Sequence, residues 1–251
     1  MDISVVIAAH DEEKTLPRCL GSLAECKKPG AVEVIVVDNA STDRTAEVAA
    51  SLGAHVVFCA TPGAVHAKAA GVAAARAPLV AVIDADSTCP PDWLEKIART
   101  FVLFPELVGL SGPARYRNPR PWVRAVMWLW YGWWKFWARL FGNALYAVGT
   151  NVAFRRDAYE KAGGFDRNIL VGGDEVGFFN KLRRVGRTRY TDDLWVETDA
   201  RRTELGFWRF FWSTVMLHYV FNYTFYRLTG RSLLKRYPPG STLPASRPEA
   251  P

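Results

Sequence analysis

The sequence is poor in the residues and motifs that define several large protein classes. It has four cysteines and four histidines in 251 residues, and it contains no C-x-x-C pair and no cysteine–histidine cluster at zinc spacing. It also contains neither a G-x-G-x-x-G loop nor a Walker motif, which excludes the common dinucleotide-binding and P-loop classes. We therefore expect the cysteines to be small buried side chains in a reducing cytosol, and not metal ligands or disulfide partners.

The N-terminus and the net charge give two further expectations. The first residues lack the basic start and the apolar stretch of a signal peptide, so a cytoplasmic location is expected. The formal net charge of +7 predicts an anionic partner. Because the basic residues form no long runs and no nucleic-acid motif is present, phosphate-bearing small molecules and lipid headgroups are favoured over DNA or RNA.

Short apolar runs alternate with helical patterns over the first hundred residues. The run Ile3–Ala9 is rich in β-branched residues, and similar runs follow at 33–37, 55–59 and 79–83. This alternation predicts an α/β fold whose mainly parallel sheet is covered by helices on both faces. Ligands of such sheets bind at the carboxyl ends of the strands. The acidic residues at those ends are Asp11, Asp38, Asp84 and Asp86.

The segment Asp84-Ala85-Asp86 directly follows a buried strand pattern. Two carboxylates separated by one residue can hold a hard divalent cation, Mn²⁺ or Mg²⁺, which in turn bridges a diphosphate. The alternative is structural, since Asp86 or Ser87 can start the next helix as an N-cap. Asp38 can accept hydrogen bonds from a base or a ribose, whereas capping is the better role for Asp43.

From this point the chain resembles the family 2 glycosyltransferases of the GT-A fold, over roughly residues 2–198. The motifs that carry the resemblance, in the family's order, are Ile3–Glu13, Val36–Asp43, Asp84–Asp86, Gly149–Arg155, Gly163–Asp166 and the acidic segment Gly173-Asp174-Glu175. The resemblance implies a GT-A α/β fold and a hexosyltransferase that uses a nucleotide-diphosphate sugar. It also implies inversion at the anomeric carbon and a Mn²⁺ or Mg²⁺ ion.

The resemblance also implies roles for individual residues. Glu12 and Asp38 would contact the nucleoside, with Lys68 near the nucleotide. Asp84 and Ala85 would lie against the donor, Asp84 also near the metal, and Asp86 would bind the metal directly. The implied catalytic base is Asp174, and the implied loop beside the donor sugar and the acceptor is Gly149, Thr150 and Asn151.

Two departures from the family pattern bear on these roles. Gly173 replaces the usual Glu before the base, which leaves Asp174 as the base candidate, and we expect Glu175 to point elsewhere on the first turn of its helix. The alternative for Asp174 is a favourable interaction with the helix dipole. The Q-x-x-R-W segment of processive synthases is absent, and Arg201 and Arg202 are the late basic residues that are candidates for contacting the diphosphate.

Aromatic residues are concentrated in two later segments. Six of the ten tryptophans lie in Trp122–Trp137, in a predicted helix at about 120–142. The residues predicted for its cationic side are Arg120, Arg124, Lys135 and Arg139, with Trp128 and Tyr131; those predicted for its apolar side are Val126, Met127, Trp130, Trp134, Trp137 and Phe141. This pattern predicts a helix lying in a membrane interface through Trp122–Phe141 and not a spanning helix. A helix that covers the enzyme's own core, or a dimer contact, are the alternatives.

The sequence thus predicts a membrane-associated enzyme with three regions. The regions are a glycosyltransferase domain at 1–203, an aromatic membrane-proximal segment at 204–235 that contacts the membrane through Phe207–Leu228, and a disordered tail at 236–251. We expect a peripheral protein of the cell envelope on the inner face of the cell membrane, whose acceptor is a glycolipid or a lipid-linked saccharide. The alternatives are a non-catalytic nucleotide-sugar-binding scaffold and a polyprenyl-phosphate glycosyltransferase.

Overall fold

A computed structural model describes residues 1–141, 148–169, 174–210, 212, 216–217 and 221–230. The strands are β1 (Ile3–Ala9), β2 (Val32–Asp38), β3 (His55–Phe58), β4 (Leu79–Asp84), β5 (Leu107–Ser111), β6 (Ala114–Tyr116), β7 (Asn151–Arg155), β8 (Arg187–Tyr190) and β9 (Val196–Thr198). The helices are α1 (Leu16–Ala24), α2 (Thr45–Ser51), α3 (Ala64–Ala74), α4 (Trp93–Leu103), α5 (Pro121–Phe141), α6 (Arg156–Lys161), α7 (Asp174–Val185), α8 (Phe207–Phe210) and α9 (Tyr223–Thr229), with a 3-10 helix at Arg201–Leu205. The tail predicted at 236–251 lies outside the described residues.

The strands form one large sheet and one small one. The large sheet has the order β3-β2-β1-β4-β7-β5-β8, and β6 pairs with β9 in the small sheet. Neighbouring strands are parallel except for β7, which runs antiparallel to both β4 and β5. The predicted α/β class, a mixed and mainly parallel sheet flanked by helices, is confirmed.

Alternating side chains of the central strands build two cores, one on each face of the large sheet. In β1, Ile3, Val5 and Ile7 pack into the core that α1 and α4 cover, whereas Val6 points into the core under α3 and α7. Helix α3 lies very close to the sheet, because a Cβ atom at Gly71 would be 2.3 Å from Val6 Cγ1. Both faces are therefore buried, as the near-continuous apolar strands require.

Strands β5, β6 and β8 were not expected from the sequence. The segment of β6 reads as a connector rich in arginine and proline, and β8 has the sequence Arg-Thr-Arg-Tyr at an edge of the large sheet. An edge strand tolerates charged side chains, so it carries no apolar run that a periodicity analysis would detect. Pairing with β9 explains why β6 is a strand at all.

Helix α5 forms as predicted, but the assignment of its faces is wrong. Its solvent-exposed apolar residues, each 57–77% exposed, are Trp128, Leu129, Trp133, Phe136 and Leu140. Trp130, which was predicted for the outward apolar face, is half-buried, whereas Trp128 was predicted for the cationic side. The side chains of Trp134, Lys135, Trp137, Arg139 and Phe141 lie outside the described residues. A helix that is apolar on most sides gives no clear periodicity, so packing against the protein decides its orientation.

Three contacts hold α5 against the rest of the protein. Val123 is buried, and Tyr131 Oη donates a hydrogen bond to the backbone oxygen of Ala114 in β6 at 2.9 Å. Arg120 pairs with Glu204 at 2.8 Å, so it is not a free cation on the helix surface. None of the helices in the described part of the chain has the length and apolarity needed to cross a bilayer.

Candidate functional site

The predicted acidic residues lie at one edge of the large sheet. In the strand register, Ala8 of β1 lies opposite Asp84 of β4, and Ala9 lies opposite Asp38 of β2. Asp86 follows two residues after the end of β4. The carboxyl ends of three adjacent strands therefore bring these carboxylates to the same edge, as the sequence predicted.

Arg201 joins two of the acidic residues at this edge. Its Nη2 atom lies 3.0 Å from Asp86 Oδ2, and 3.2 and 3.3 Å from the two carboxylate oxygens of Glu12. The side chains of Arg201 and Glu12 are about one-seventh exposed, and that of Asp86 is about one-quarter exposed. Arg201, which lies more than 100 positions from both Glu12 and Asp86 in the chain, thus forms one partly buried charge cluster with them.

The environment of this cluster shifts the pKa values of Glu12 and Arg201. Burial raises the pKa of Glu12 above its ordinary value, with a smaller contribution from the nearby Asp86 carboxylate, although Thr15 and Arg201 act in the opposite direction. Burial alone would lower the pKa of Arg201, but the carboxylates of Glu12 and Asp86 outweigh it and raise that pKa. The guanidinium therefore stays charged.

The small sheet places Arg201 against Asp86. Strand β9 ends at Thr198, whose Oγ1 donates to Asp86 Oδ1 at 3.3 Å. The next residue, Asp199, accepts a hydrogen bond from the backbone N–H of Arg201 at 2.9 Å and so caps the start of the 3-10 helix. Thr88, two residues after Asp86, exchanges two backbone hydrogen bonds with Glu197 of β9. These contacts hold in place the chain segments that carry Asp86 and Arg201.

The oxygen atoms available at Asp86 suit a metal ion that completes its coordination shell with atoms of a bound ligand. Asp84 and Asp86 offer oxygen atoms, the ligand type that Mg²⁺ and Mn²⁺ prefer. Among the described residues, no group of three or more His, Cys, Asp or Glu side chains forms a full metal cage. One or two carboxylates completed by phosphate oxygens and water is the usual arrangement for Mg²⁺ at nucleotide sites. The residues present therefore fit a metal–diphosphate site.

The loop before β7 adjoins this edge. Thr150 Oγ1 lies 2.8 Å from Ser87 Oγ, and Ser87 is the residue after Asp86. Asn151 is fully buried. Its Oδ1 accepts a hydrogen bond from Trp93 Nε1 at 3.1 Å, and its Nδ2 donates to the backbone oxygen of Leu194 at 2.6 Å. Asn151 therefore holds the loop in place, and Gly149 and Thr150 are the members that adjoin the Asp86 turn.

Helix α7 begins against the same loop. Glu175 lies so close to Gly149 that a Cβ atom there would be 1.7 Å from Glu175 Oε1. The same oxygen pairs with Lys68 Nζ of α3 at 3.3 Å, and the two side chains are only 14% and 6% exposed. The expectation that Glu175 points elsewhere is wrong, because its side chain reaches the site edge. The side chain of Asp174 and residue Gly173 lie outside the described residues.

The side chain of Asp38 accepts a hydrogen bond from one backbone amide at the end of β2. It is buried, and its Oδ1 accepts a hydrogen bond from the backbone N–H of Ser41 at 3.1 Å. Within the described residues its Oδ2 has no hydrogen-bond partner, which leaves that atom available to a ligand. Asp43 accepts a hydrogen bond from the backbone N–H of Thr45, the first residue of α2, at 2.9 Å, although the N-cap position of that helix is Arg44.

Sequence reasoning missed several residues of this site. Thr198 and Asp199 position the Asp86–Arg201 pair, and Glu175 connects α7 to Lys68. The pair Arg201-Arg202 after a strand pattern indicated a late cation, but no sequence pattern indicated its carboxylate partners. The side chain of Arg202 lies outside the described residues.

Comparison with known proteins agrees with this arrangement. The sequence profile described as "Glycosyl transferase family 2" matches residues 4–163. An uncharacterized glycosyltransferase of Mycobacterium tuberculosis is 40% identical over 125 residues, which make up 49% of this chain and 55% of that protein. The glucosyl-dolichyl phosphate glucuronosyltransferase of Haloferax volcanii is 27% identical over 189 residues, which cover 70% of this chain and 59% of that protein.

A solved structure shows the same fold. The mannosyltransferase PcManGT of Pyrobaculum calidifontis, in complex with GDP-Man and Mn²⁺, superposes with a TM-score of 0.62 at 22% identity, covering 78% of this chain and 56% of that one. This likeness confirms the predicted GT-A fold class. The chain spans between half and three-fifths of the length of the proteins that it matches.

Proposed function

The chain belongs to glycosyltransferase family 2, and from that membership we propose that it transfers a sugar from a nucleotide-diphosphate donor to an acceptor hydroxyl, with inversion. The observation that carries the proposal is the cluster around Asp86. A carboxylate at a strand end, with the cation Arg201 beside it, offers a metal ligand and a phosphate partner within 3.0 Å of each other. A nucleoside diphosphate with its divalent cation needs both.

The proposed roles follow from the positions of the residues. Asp38 Oδ2 accepts from the nucleoside, and Asp86 with Asp84 holds Mn²⁺ or Mg²⁺, which when bound neutralises charge on the departing diphosphate. Asp174, at the start of α7, takes the proton of the acceptor hydroxyl as that oxygen attacks the anomeric carbon. Lys68 and Glu175 position the first turn of α7 against the Gly149 loop.

The test uses nucleotide sugars and two variants of the site. We expect one nucleotide sugar of a panel to raise the melting temperature in the presence of Mn²⁺. Asp86→Ala should lose this metal-dependent shift, whereas Asp174→Asn should keep it and lose transfer by a factor of 10³ or more, which is the upper range for a general base. Asp157→Asn, an exposed change on α6, is the matched control. Transfer by Asp174→Asn at the wild-type rate would remove Asp174 as the base.

A lipid-linked saccharide is the acceptor that we propose. A neutral hydroxyl must lose its proton as it attacks and therefore needs a general base, whereas a phosphate oxygen is already ionised. The presence of a base candidate thus favours a sugar hydroxyl over a polyprenyl phosphate as the acceptor. The Haloferax volcanii relative is named for transfer to glucosyl-dolichyl phosphate. Transfer to a polyprenyl phosphate in preference to a glycosylated lipid would contradict this part of the proposal.

Contact with a membrane surface follows from the exposed aromatic residues of α5. Trp128 and Trp133 are 77% and 57% exposed on a helix that the protein holds by its other side. Trp122 of α5 packs edge-to-face on Phe207 of α8, and the neighbouring Trp208 is also exposed. Exposed tryptophans on a surface helix, in a chain of net charge +7, suit the interface of an anionic bilayer.

Co-sedimentation with vesicles tests this contact. We expect wild-type protein to sediment with vesicles that contain anionic lipid, and Trp128→Ser/Trp133→Ser to lose most of that binding. Leu103→Ser removes a comparably exposed apolar side chain from α4 and should bind as wild type does. Equal binding by the double variant and wild type would show that α5 does not contact the vesicle.

A further inference from the structure

Arg201 contacts Asp86, the residue that is proposed to bind the metal ion. A single nitrogen, Nη2, contacts Asp86 Oδ2 and both oxygens of Glu12. The other oxygen of Asp86 accepts from Thr198 Oγ1. Both oxygens of the proposed metal ligand therefore already have partners within the protein.

We propose that Arg201 is a resident cation of the donor site that holds Asp86 and Glu12 in the absence of donor and moves to the diphosphate when a divalent cation binds Asp86. The metal and the nucleotide then bind together and not independently. This inference rests on the proposed function, because it requires Asp86 to be the metal ligand.

The physical argument concerns two cations at one oxygen. A divalent ion binds a carboxylate oxygen at about 2.0–2.2 Å, and Arg201 Nη2 already lies 3.0 Å from Asp86 Oδ2. Two positive charges that share this oxygen in a partly buried site repel strongly. A diphosphate removes the repulsion, since its oxygens can bind the metal and accept two parallel hydrogen bonds from the guanidinium.

The surroundings of Arg201 allow the guanidinium to turn while the backbone stays fixed. Its backbone N–H is held by Asp199 Oδ1 at 2.9 Å, and its Nε lies 3.7 Å from Asp199 Oδ2. Asp199 therefore remains a partner of the near end of the side chain when the far end leaves Asp86. No backbone movement is required for the change of partner.

The experiment measures Mn²⁺ binding by electron paramagnetic resonance on the full chain, alone and with UDP or GDP. We expect whichever of UDP and GDP binds more tightly to increase the affinity of the wild type for Mn²⁺ at least tenfold. Arg201→Gln should bind Mn²⁺ alone at least tenfold more tightly than wild type, about 1.4 kcal/mol, and should show little further effect of nucleotide. Arg120→Gln is the control, because Arg120 pairs with Glu204 and not with Asp86.

The possible outcomes separate this inference from the proposed function. Equal Mn²⁺ affinities of Arg201→Gln and wild type without nucleotide, together with a nucleotide effect on wild type, would overturn the inference alone. Absence of Mn²⁺ binding to wild type and variant under all conditions would overturn both. If Arg201→Gln does not fold, Arg201→Lys decides: the lysine side chain is shorter and lacks the Nε that lies 3.7 Å from Asp199 Oδ2, so its ammonium is held less closely against Asp86. We therefore expect this variant to bind Mn²⁺ more tightly than wild type by a smaller factor, and equal affinity would refute the inference.

Discussion

The contact between the Gly149 loop and α7 allows a direct test by Gly149→Ala. A Cβ atom at this position would lie 1.7 Å from Glu175 Oε1, 2.3 Å from Cδ and 2.5 Å from Cγ. Gly149 does not have a positive φ, so alanine fits the backbone and only the contact matters. Because Cγ is also too close, the whole Glu175 side chain has to leave its position.

The expected cost follows from the ion pair that is broken. Lys68 is 6% exposed, and displacement of Glu175 separates it from that carboxylate. Breaking one side of a buried pair costs about 3–5 kcal/mol, and we expect about 3 kcal/mol here because the displaced Glu175 reaches solvent. For a chain of this size, that cost lowers the melting temperature by roughly 6–12 °C.

The assay is a double-mutant cycle followed by thermal and urea unfolding. Glu175→Ala alone should cost about as much as Gly149→Ala, because it too removes the carboxylate that pairs with Lys68. The double variant should be no less stable than Glu175→Ala, which gives a coupling of about 3 kcal/mol. Gly21→Ala is the control: a Cβ atom there meets nothing within 4 Å, and alanine inside a helix should add about 0.5–1 kcal/mol. Additive costs in the cycle would refute this account of the contact.

Two further predictions concern buried polar groups. Asn151→Leu should lower the free energy of unfolding by about 2–4 kcal/mol, because it removes the hydrogen bonds that the buried Asn151 makes with Trp93 Nε1 and with the backbone oxygen of Leu194; a loss under 1 kcal/mol in urea unfolding would contradict this. Glu33→Gln should cost about 1–2 kcal/mol at neutral pH, because hydrogen bonds from Ser4 Oγ and the Arg76 N–H outweigh burial and lower the pKa of Glu33 below its ordinary 4.5. This stabilisation is present above pH 4.5 and is lost as the pH falls through the lower folded-state pKa, so a difference that persists at pH 2 would refute it.

The sequence was sufficient to predict the parallel half of the fold. The strands β1, β2 and β4 are near-continuous apolar runs because helices cover both of their faces, and such runs are visible in the sequence. Their carboxyl ends carry Asp38, Asp84 and Asp86, so the edge where ligands bind could be predicted with the strands. The opposite half was harder, because β5 is short and the charged β8 lies at a sheet edge.

The sequence was not sufficient to predict pairings between distant positions. Arg201 was identified as a late cation, but its contacts with Glu12 and Asp86 depend on the β6–β9 pairing, which has no signature of its own. The side chain of Glu175 was predicted to point elsewhere, because a helix start does not reveal which of its acidic residues faces the sheet. In α5, apolar residues on most sides left the exposed face undetermined until Val123 and Tyr131 were seen to pack inward.

The inverted direction of β7 has a consequence for how members of such a fold can diverge. Because β7 runs against β4, its first residue, Asn151, lies opposite Ile83 at the end of β4. The residues just before β7, which include Thr150, thus reach the Asp86 turn from the second half of the sequence. Under the proposed function, changes in this segment can alter the choice of acceptor while the residues of β2 and β4 that are proposed to bind the nucleotide stay unchanged, so the two specificities can evolve separately.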